Sequence, residues 1–301
     1  MTPPPAALPP VNVVVATRGR PDDVQTLVGM LARSTRLPDR VVIVGANASD
    51  WQGVDQLATP FPVVTLTCPR PGLPRQRNVA IAHLMERSGI DSVVAFFDDD
   101  FVPHDRWIEE AVAVLLCDPA VIGVTGTVLR DGAKTQAVPM DEAVQLLAQW
   151  PGGDGDVAGV SSLYGCNMAV RASVFGQARF DERLPLYGWL EDLDFSGQIA
   201  RAGRLVRVAG CAGVHRGAKG ARVSGRRYGY SQIANPLYLA GKGTCRVPEA
   251  GVFVARALLS NLLRSTRHHP VFDYRGRLRG NLRALGDMVR GRMRPEAITD
   301  L

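Results

Sequence analysis

Apolar, β-branched runs alternate with helically spaced apolar residues along roughly the first 130 positions of the chain. Val11–Ala16 (VNVVVA) reads as a buried strand, and after a Thr-Arg-Gly-Arg-Pro turn a helix is predicted from Asp22 or Asp23 to about Arg33. Val41–Val44 and Pro62–Thr67 are further apolar strands, and Leu73–Arg87 carries a helical pattern. Val93–Phe97 is a fourth strand running into Asp98-Asp99-Asp100, followed by a helix over about Asp105–Leu116 and a strand-like Val121–Leu129. Strands that alternate with helices predict an α/β fold, with a mostly parallel sheet covered on both faces. In such a sheet ligands bind beyond the carboxyl ends of the strands, where Thr17, Arg18, Asn47 and the three aspartates fall.

Past residue 130 the rhythm loosens. Residues 151–159 (PGGDGDVAG) read as a flexible loop, Tyr164–Arg171 as a strand and Arg171–Gly176 as a short helix. Leu190–Gly203 has a helical pattern with Gly203 as its stop. Two short strands, Leu205–Val208 and Cys211–Val214, deliver His215 into a basic loop. Val252–Leu263 is a helix with Arg256, Ser260 and Arg264 on one line, and the arginine-rich tail to Leu301 is partly helical. The predicted organisation is a disordered leader (1–10), two successive halves of one domain (11–130 and 131–245) and a basic helical extension (246–301).

Charge sharpens this division. Residues 1–200 hold 15 Lys+Arg against 24 Asp+Glu, whereas residues 201–301 hold 20 against 5. An acidic front suits cation chemistry and a basic back suits anions. No apolar run is long enough to span a bilayer, and the proline-rich start lacks the layout of a secretory signal. Five scattered cysteines without C-x-x-C spacing point away from disulfides and zinc, and toward a reducing cytoplasm.

The three aspartates are the most specific local feature. Alternation sends Asp98 and Asp100 to one side and Asp99 to the other, and crowded carboxylates favour a divalent ion such as Mn²⁺ or Mg²⁺. A solvated acidic turn before the next helix gives the same pattern. Glu191 and Asp192 open a predicted helix, where they serve either as ordinary first-turn acids or as chemistry. His215, followed by Arg216, Lys219 and Arg222 among glycines, fits a phosphate-wrapping loop, although a lone histidine is often structural.

Order and spacing add more than any one motif. VVVATRGRP at 13–21, RQRN at 75–78, FFDDDFVPHDRW at 96–107, GCNMAVRASVF at 165–175, FDERLPLYGWLEDLDFSGQIARAG at 180–203 and VHR at 214–216 together resemble the inverting family 2 glycosyltransferases of GT-A fold. The resemblance covers about residues 11–245 and implies that 11–130 is the nucleotide-sugar-binding half and 131–245 the acceptor-binding and catalytic half of one GT-A domain. It implies a nucleoside-diphosphate sugar donor contacted by Thr17, Arg18, Asn47, Arg77, Asn78, Asp98, Asp99 and Arg222. It implies a metal on Asp100 (the DXD motif) and His215, and Asp192 as the general base, with Glu191, Trp189 and Asn167 orienting the site or the acceptor. One departure stands out: after the second strand, Val44-Gly45-Ala46-Asn47-Ala48-Ser49-Asp50 lacks the family's base-facing aspartate, which leaves UDP or dTDP favoured over GDP by a modest margin.

The resemblance also implies inversion, a glycan or lipid-linked acceptor, and a role in cell-envelope or extracellular polysaccharide or glycolipid synthesis. The basic tail either packs on the catalytic domain or rests on an anionic membrane surface, which would make the protein cytoplasmic and peripheral. A non-catalytic sugar-nucleotide binder of the same fold is the rival reading. Nucleic acid is not an expected partner, because few aromatics interleave with the arginines.

Overall fold

The computed structural model describes residues 8–133, 135–153, 155–218, 224–266, 269 and 271–301. Residues 1–7 of the expected leader, and Arg222, lie outside the described residues.

Four parallel strands form one half of the sheet: β1 (Val11–Ala16), β2 (Arg40–Gly45), β3 (Val63–Thr67) and β4 (Val93–Asp98). Then come β5 (Phe101–Pro103), β6 (Val121–Asp131), β7 (Val157–Gly159), β8 (Asn167–Arg171) and β9 (Arg204–His215). The sheet order is β3-β2-β1-β4-β8-β6-β9-β5, with β7 also paired to β9. β8 runs antiparallel to both β4 and β6, while β6 and β9 are parallel.

The central strands are mainly apolar because both faces are covered, with Asn12 a buried polar exception in β1. Val13 and Val15 point to the face packed by α1 (Pro21–Leu31) and α3 (Trp107–Cys117). Val14, Val42, Val44 and Phe96 point to the other, packed by α2 (Leu73–Met85) and α5 (Glu191–Ile199). Helix α1 starts on Pro21, whose fixed φ and missing N–H suit the first helical position, so the aspartates expected to begin it lie in its first turn.

Several elements differ from the sequence reading. The two short strands around Ala209-Gly210 are one twelve-residue strand, β9, whose irregularity is a register shift against β6. The loop expected over 151–159 ends in β7, and α4 (Met140–Ala148) precedes it. Helix α6 (Gly225–Lys242) was hidden by its glycines and by Pro236 in its interior. Packing replaces propensity there: a Cβ on Gly229 would lie 2.0 Å from the Arg277 carbonyl of α8 (Tyr274–Val289). Between them α7 runs over Val247–Arg264, longer than expected, and Tyr230, Ile233 and Ala234 of α6 share an apolar core with Ala284 of α8. No helix among the described residues is long and apolar enough to cross a membrane.

Candidate active site

Asp98 ends β4 and Asp99-Asp100 form the turn that follows, and the three side chains separate as the sequence reading expected. Asp99 is buried, accepts a hydrogen bond from the Thr17 hydroxyl (2.7 Å) and pairs with Arg20 at 2.7 Å. Asp98 and Asp100 turn the other way, to His215 at the end of β9, whose Nε2 lies 3.8 Å from Asp98 and 3.4 Å from Asp100. These three side chains each offer a ligand atom within 4.8 Å of one another. Two carboxylates and an imidazole are a donor set suited to a divalent ion.

The surroundings set the charge of each group. Burial, with Asp100 and Asp98 adding to it, pushes the Asp99 carboxyl well above the ordinary range despite Arg20 and Thr17. Burial acts on Asp100 in the same sense, but there His215, Arg20 and the Ala218 N–H prevail and hold it below its usual value. The His215 Nδ1 faces Asp131 at 3.1 Å, and Asp131 also accepts a hydrogen bond from the Tyr164 hydroxyl (2.8 Å). This carboxylate–imidazole contact fixes the ring and leaves Nε2 directed at Asp98 and Asp100. Neither Asp131 nor Tyr164 belongs to a short motif, so sequence reading passed over both.

The second acidic group sits on a strained turn. Leu186 and Leu190 adopt φ of 60° and 70°, the left-handed region that costs a branched residue about 1–2 kcal/mol. The turn is held by the Leu186 carbonyl, which accepts from Leu73 N–H (2.8 Å), and by the Trp189 carbonyl, which accepts from Asn235 (2.7 Å). It presents Tyr187 and Trp189 and starts α5 with Glu191 and Asp192 in the cavity that also holds Asp98 and His215. Arg77, buried on α2, spans the gap by pairing with Glu191 at 2.5 Å and Asp98 at 3.1 Å and donating to the Gly165 carbonyl at 2.7 Å. Burial pushes Glu191 up to about 8 against the pull of Arg77. Burial also raises Asp192, which accepts from the backbone N–H of Gly165 (2.9 Å) and Leu193 (2.8 Å). Asp194, the third acid of this turn, points away and is tied to Lys242 and Thr244.

Three adjoining cavities share Asp98 and Tyr187. One, near Thr17, Arg18 and Gln76, measures about 90 Å³. A second of about 230 Å³ holds Arg77, Trp189, Glu191, Asp192 and His215. The third, about 270 Å³, runs from Asp100 and His215 to Tyr228, Phe272 and Arg277, so the C-terminal helices form one wall of the cleft. The Arg277 guanidinium lies over the rings of Tyr228 (4.6 Å) and Phe272 (4.8 Å).

Thr17, Arg18, Arg77, Asp98, Asp100, Trp189, Glu191, Asp192 and His215 therefore line one connected cleft, with Asp99 directly behind it. Three expected residues are not brought there. Asn78 bonds instead to Phe180 and Glu182, because consecutive helical positions point about 100° apart and Arg77 takes the cleft side. Asn167 is fully buried in the sheet and accepts from Gly126 N–H at 2.6 Å, since its strand neighbours leave it facing β6. Asn47 is exposed at the start of a short 3₁₀ turn. The carboxylate sought near it is Asp50, buried and occupied by the N–H groups of Gly19, Ala46 and Asn47. Gln76 and Arg20 are functional candidates that the motifs did not single out: Gln76 donates to the Thr17 and Val44 carbonyls, and Arg20 bridges Asp99 and Asp100.

A family model described as glycosyltransferase like family 2 matches residues 9–273. No curated protein sequence matches the chain. Among solved structures the fold is similar to Staphylococcus aureus TarS (18% identity, TM-score 0.52), the match covering 87% of this chain and 44% of that one. GalNAc-T7, solved with UDP, GalNAc and Mn²⁺, is similar at 14% identity and TM-score 0.53, with 88% of this chain and 59% of that one covered. The chain thus spans about half the length of these two relatives. Mycobacterium tuberculosis glucosyl-3-phosphoglycerate synthase, with Mn²⁺ and UDP, is similar at 17% identity and TM-score 0.52, with 79% and 81% covered. A Pyrobaculum calidifontis mannosyltransferase with GDP-Man and Mn²⁺ is similar at 15% and 0.52, with 96% and 88% covered.

Proposed function

The chain belongs to the glycosyltransferase-like family 2, and from that premise we propose that it transfers a sugar from a nucleoside-diphosphate sugar to an acceptor hydroxyl, with inversion at the anomeric carbon. The observation that carries this reading is the convergence of Asp98, Asp100 and His215 on one point in the cleft that also holds Asp192. Asp100 and His215, with Asp98, would hold Mn²⁺ or Mg²⁺, and that ion would neutralise charge on the leaving diphosphate.

The remaining chemistry belongs to the chain. Thr17, Arg18 and Gln76 line the recess assigned to the nucleoside, and Arg277 faces the diphosphate side from the opposite wall. Asp192, oriented by two backbone N–H groups, takes the acceptor hydroxyl proton. The acceptor oxygen then bonds to the anomeric carbon as the carbon–phosphate-oxygen bond breaks, and that electron pair leaves with the diphosphate. One base and no separate enzymic nucleophile make this a single displacement, which inverts the centre. Glu191, carrying its proton near neutral pH, orients the site from its bond to Arg77. Tyr187, Trp189 and Tyr228 offer ring faces to an acceptor glycan.

UDP or dTDP remains our favoured donor nucleotide, and two of the similar structures carry UDP. We also retain a glycan or lipid-linked acceptor, a role in envelope polysaccharide or glycolipid synthesis, and action at the inner face of the cell membrane. The division at residues 130 and 245 stands as part of the same proposal. The intact acids and histidine favour catalysis over a non-catalytic sugar-nucleotide binder. Thermal-shift measurement against a panel of sugar nucleotides with and without Mn²⁺ tests the reading. One donor should raise Tm by several degrees only with metal, and His215→Ala should abolish that rise. No response to any donor would overturn the proposal.

A further inference from the structure

Helices α7 and α8 lie side by side, joined through a buried Asn261–Asn281 hydrogen bond of 2.7 Å. Helix α7 packs inward through Ala250, Ala257 and Asn261. Its opposite side is also apolar: Val252, Leu259 (59% exposed), Leu262 and Leu263 (65%) form an open stripe. Helix α8 repeats the arrangement with Leu282 (59%) and Val289 (84%), one heptad apart and away from its packed side. Isolated exposed leucines need no explanation, but two neighbouring helices with apolar outer stripes do.

The flanks of these stripes are basic. Arg256 and Arg264 on α7, and Arg275, Arg279 and Arg283 on α8, are exposed, as are Arg290 and Arg292 just beyond it. The acids on α8 are engaged within the chain: Asp273, although exposed, caps the helix by accepting from Gly276 N–H, and Asp287 is buried against Tyr230 and pairs with Arg283. Leucine stripes edged by arginines match an anionic bilayer, whose acyl boundary takes the leucines and whose headgroups pair with the guanidiniums. A second copy fits less well, since a two-fold contact would set the arginine rims against each other.

We propose that the outer face of α7 and α8 docks on an anionic membrane, lying in the headgroup region rather than crossing it. This inference stands independently of sugar transfer. Flotation with phosphatidylcholine vesicles, with and without phosphatidylglycerol, tests it on the full chain. The protein should float only with the anionic vesicles. Raising salt from about 0.1 M to about 1 M, which shortens screening from about 10 Å to about 3 Å, should weaken the association several-fold. Leu259→Asp/Leu263→Asp and Arg279→Glu/Arg290→Glu should each lower partitioning at least tenfold with an unchanged circular-dichroism melt, because all four side chains are exposed. Failure to float with anionic vesicles, equal flotation with neutral ones, or a solution dimer that the leucine variant dissociates would each overturn the proposal.

Discussion

Replacing Arg77 with methionine tests whether the cleft is held together by one buried cation. Arg77 is 1% exposed and makes three polar contacts, to Glu191, Asp98 and the Gly165 carbonyl. Methionine fills the aliphatic space beside Phe96 and Phe180 but leaves those three acceptors without their donor. Glu191 suffers most, because its Oε2 is already buried without a hydrogen-bond partner. Above about pH 8, where Glu191 is ionised, breaking a buried ion pair in this one-sided way costs about 3–5 kcal/mol. For 301 residues, an unfolding entropy of about 0.6 kcal/mol/K converts that into a Tm lowered by about 5–8 °C.

The cost has a defined pH dependence. Glu191 titrates near 8 in the folded protein against an ordinary 4.5, so the native state holds the extra proton between those values. Its contribution to stability therefore falls as pH rises through that window and levels off above it. Removing Arg77 raises the folded value further, so the gap between variant and wild type should widen from about pH 6 to about pH 9. Adding Glu191→Gln to the variant should recover about 1–2 kcal/mol at the higher pH, since the uncompensated charge is then gone. Urea unfolding of the wild type, the Arg77→Met variant and the double variant at both pH values makes the comparison. A loss below about 1 kcal/mol, or a gap that does not change with pH, would refute the assignment.

Other substitutions probe different parts of the structure. Gly126→Ala would place a Cβ 2.0 Å from the Cys211 carbonyl and 2.6 Å from Asn167 Oδ1, so a loss of about 3 kcal/mol is expected; a normal melting curve would contradict this β6–β9 approach. Asp192→Asn should cut transfer by about 10²–10⁴-fold while leaving Mn²⁺-dependent UDP binding intact by calorimetry. In the wild type, transfer should rise with pH through the burial-raised Asp192 carboxyl, since the base works only when deprotonated; a rate that falls over that limb argues against it. Lys242→Met removes a charged donor from the fully buried Asp194 and should cost about 1.5–3 kcal/mol in urea unfolding without changing UDP affinity.

The parallel half of the sheet was legible because burial on both faces forces unbroken apolar runs, and β1 occupies the predicted Val11–Ala16. The site was legible in part: Asp98 and Asp100 meet His215 while Asp99 turns to Thr17, as the sequence reading expected, although Asp99-Asp100 form a turn rather than extended strand. It was illegible where adjacency in a motif was taken for adjacency in space. Arg77 and Asn78 are neighbours in sequence yet serve different sides of α2, and Asn167 belongs to the sheet interior. Helix α6 shows the complementary failure, because glycines that weaken an isolated helix are what let it press against α8.

Charge distribution links the cleft to the rest of the chain. Asp98, Asp99, Asp100, Asp131, Glu191 and Asp192 converge there, while Arg18, Arg20, Arg77 and Arg277, with His215, are the bases that touch or line it among the described residues. Arg20 is shared by two of the acids and Arg77 by two more, so neither is a full counter-charge for each carboxylate it meets. The basic last third leaves this deficit largely unrepaired. Arg216 turns to Asp23 on α1, most of the later exposed arginines edge the outer face of α7 and α8, and Arg277 alone of the α8 arginines lines the cleft. A site that keeps this many acids close together at neutral pH must protonate some of them or take up a cation. The raised Asp99 and Glu191 show the first response in the structure, and the Asp98–Asp100–His215 cluster provides for the second.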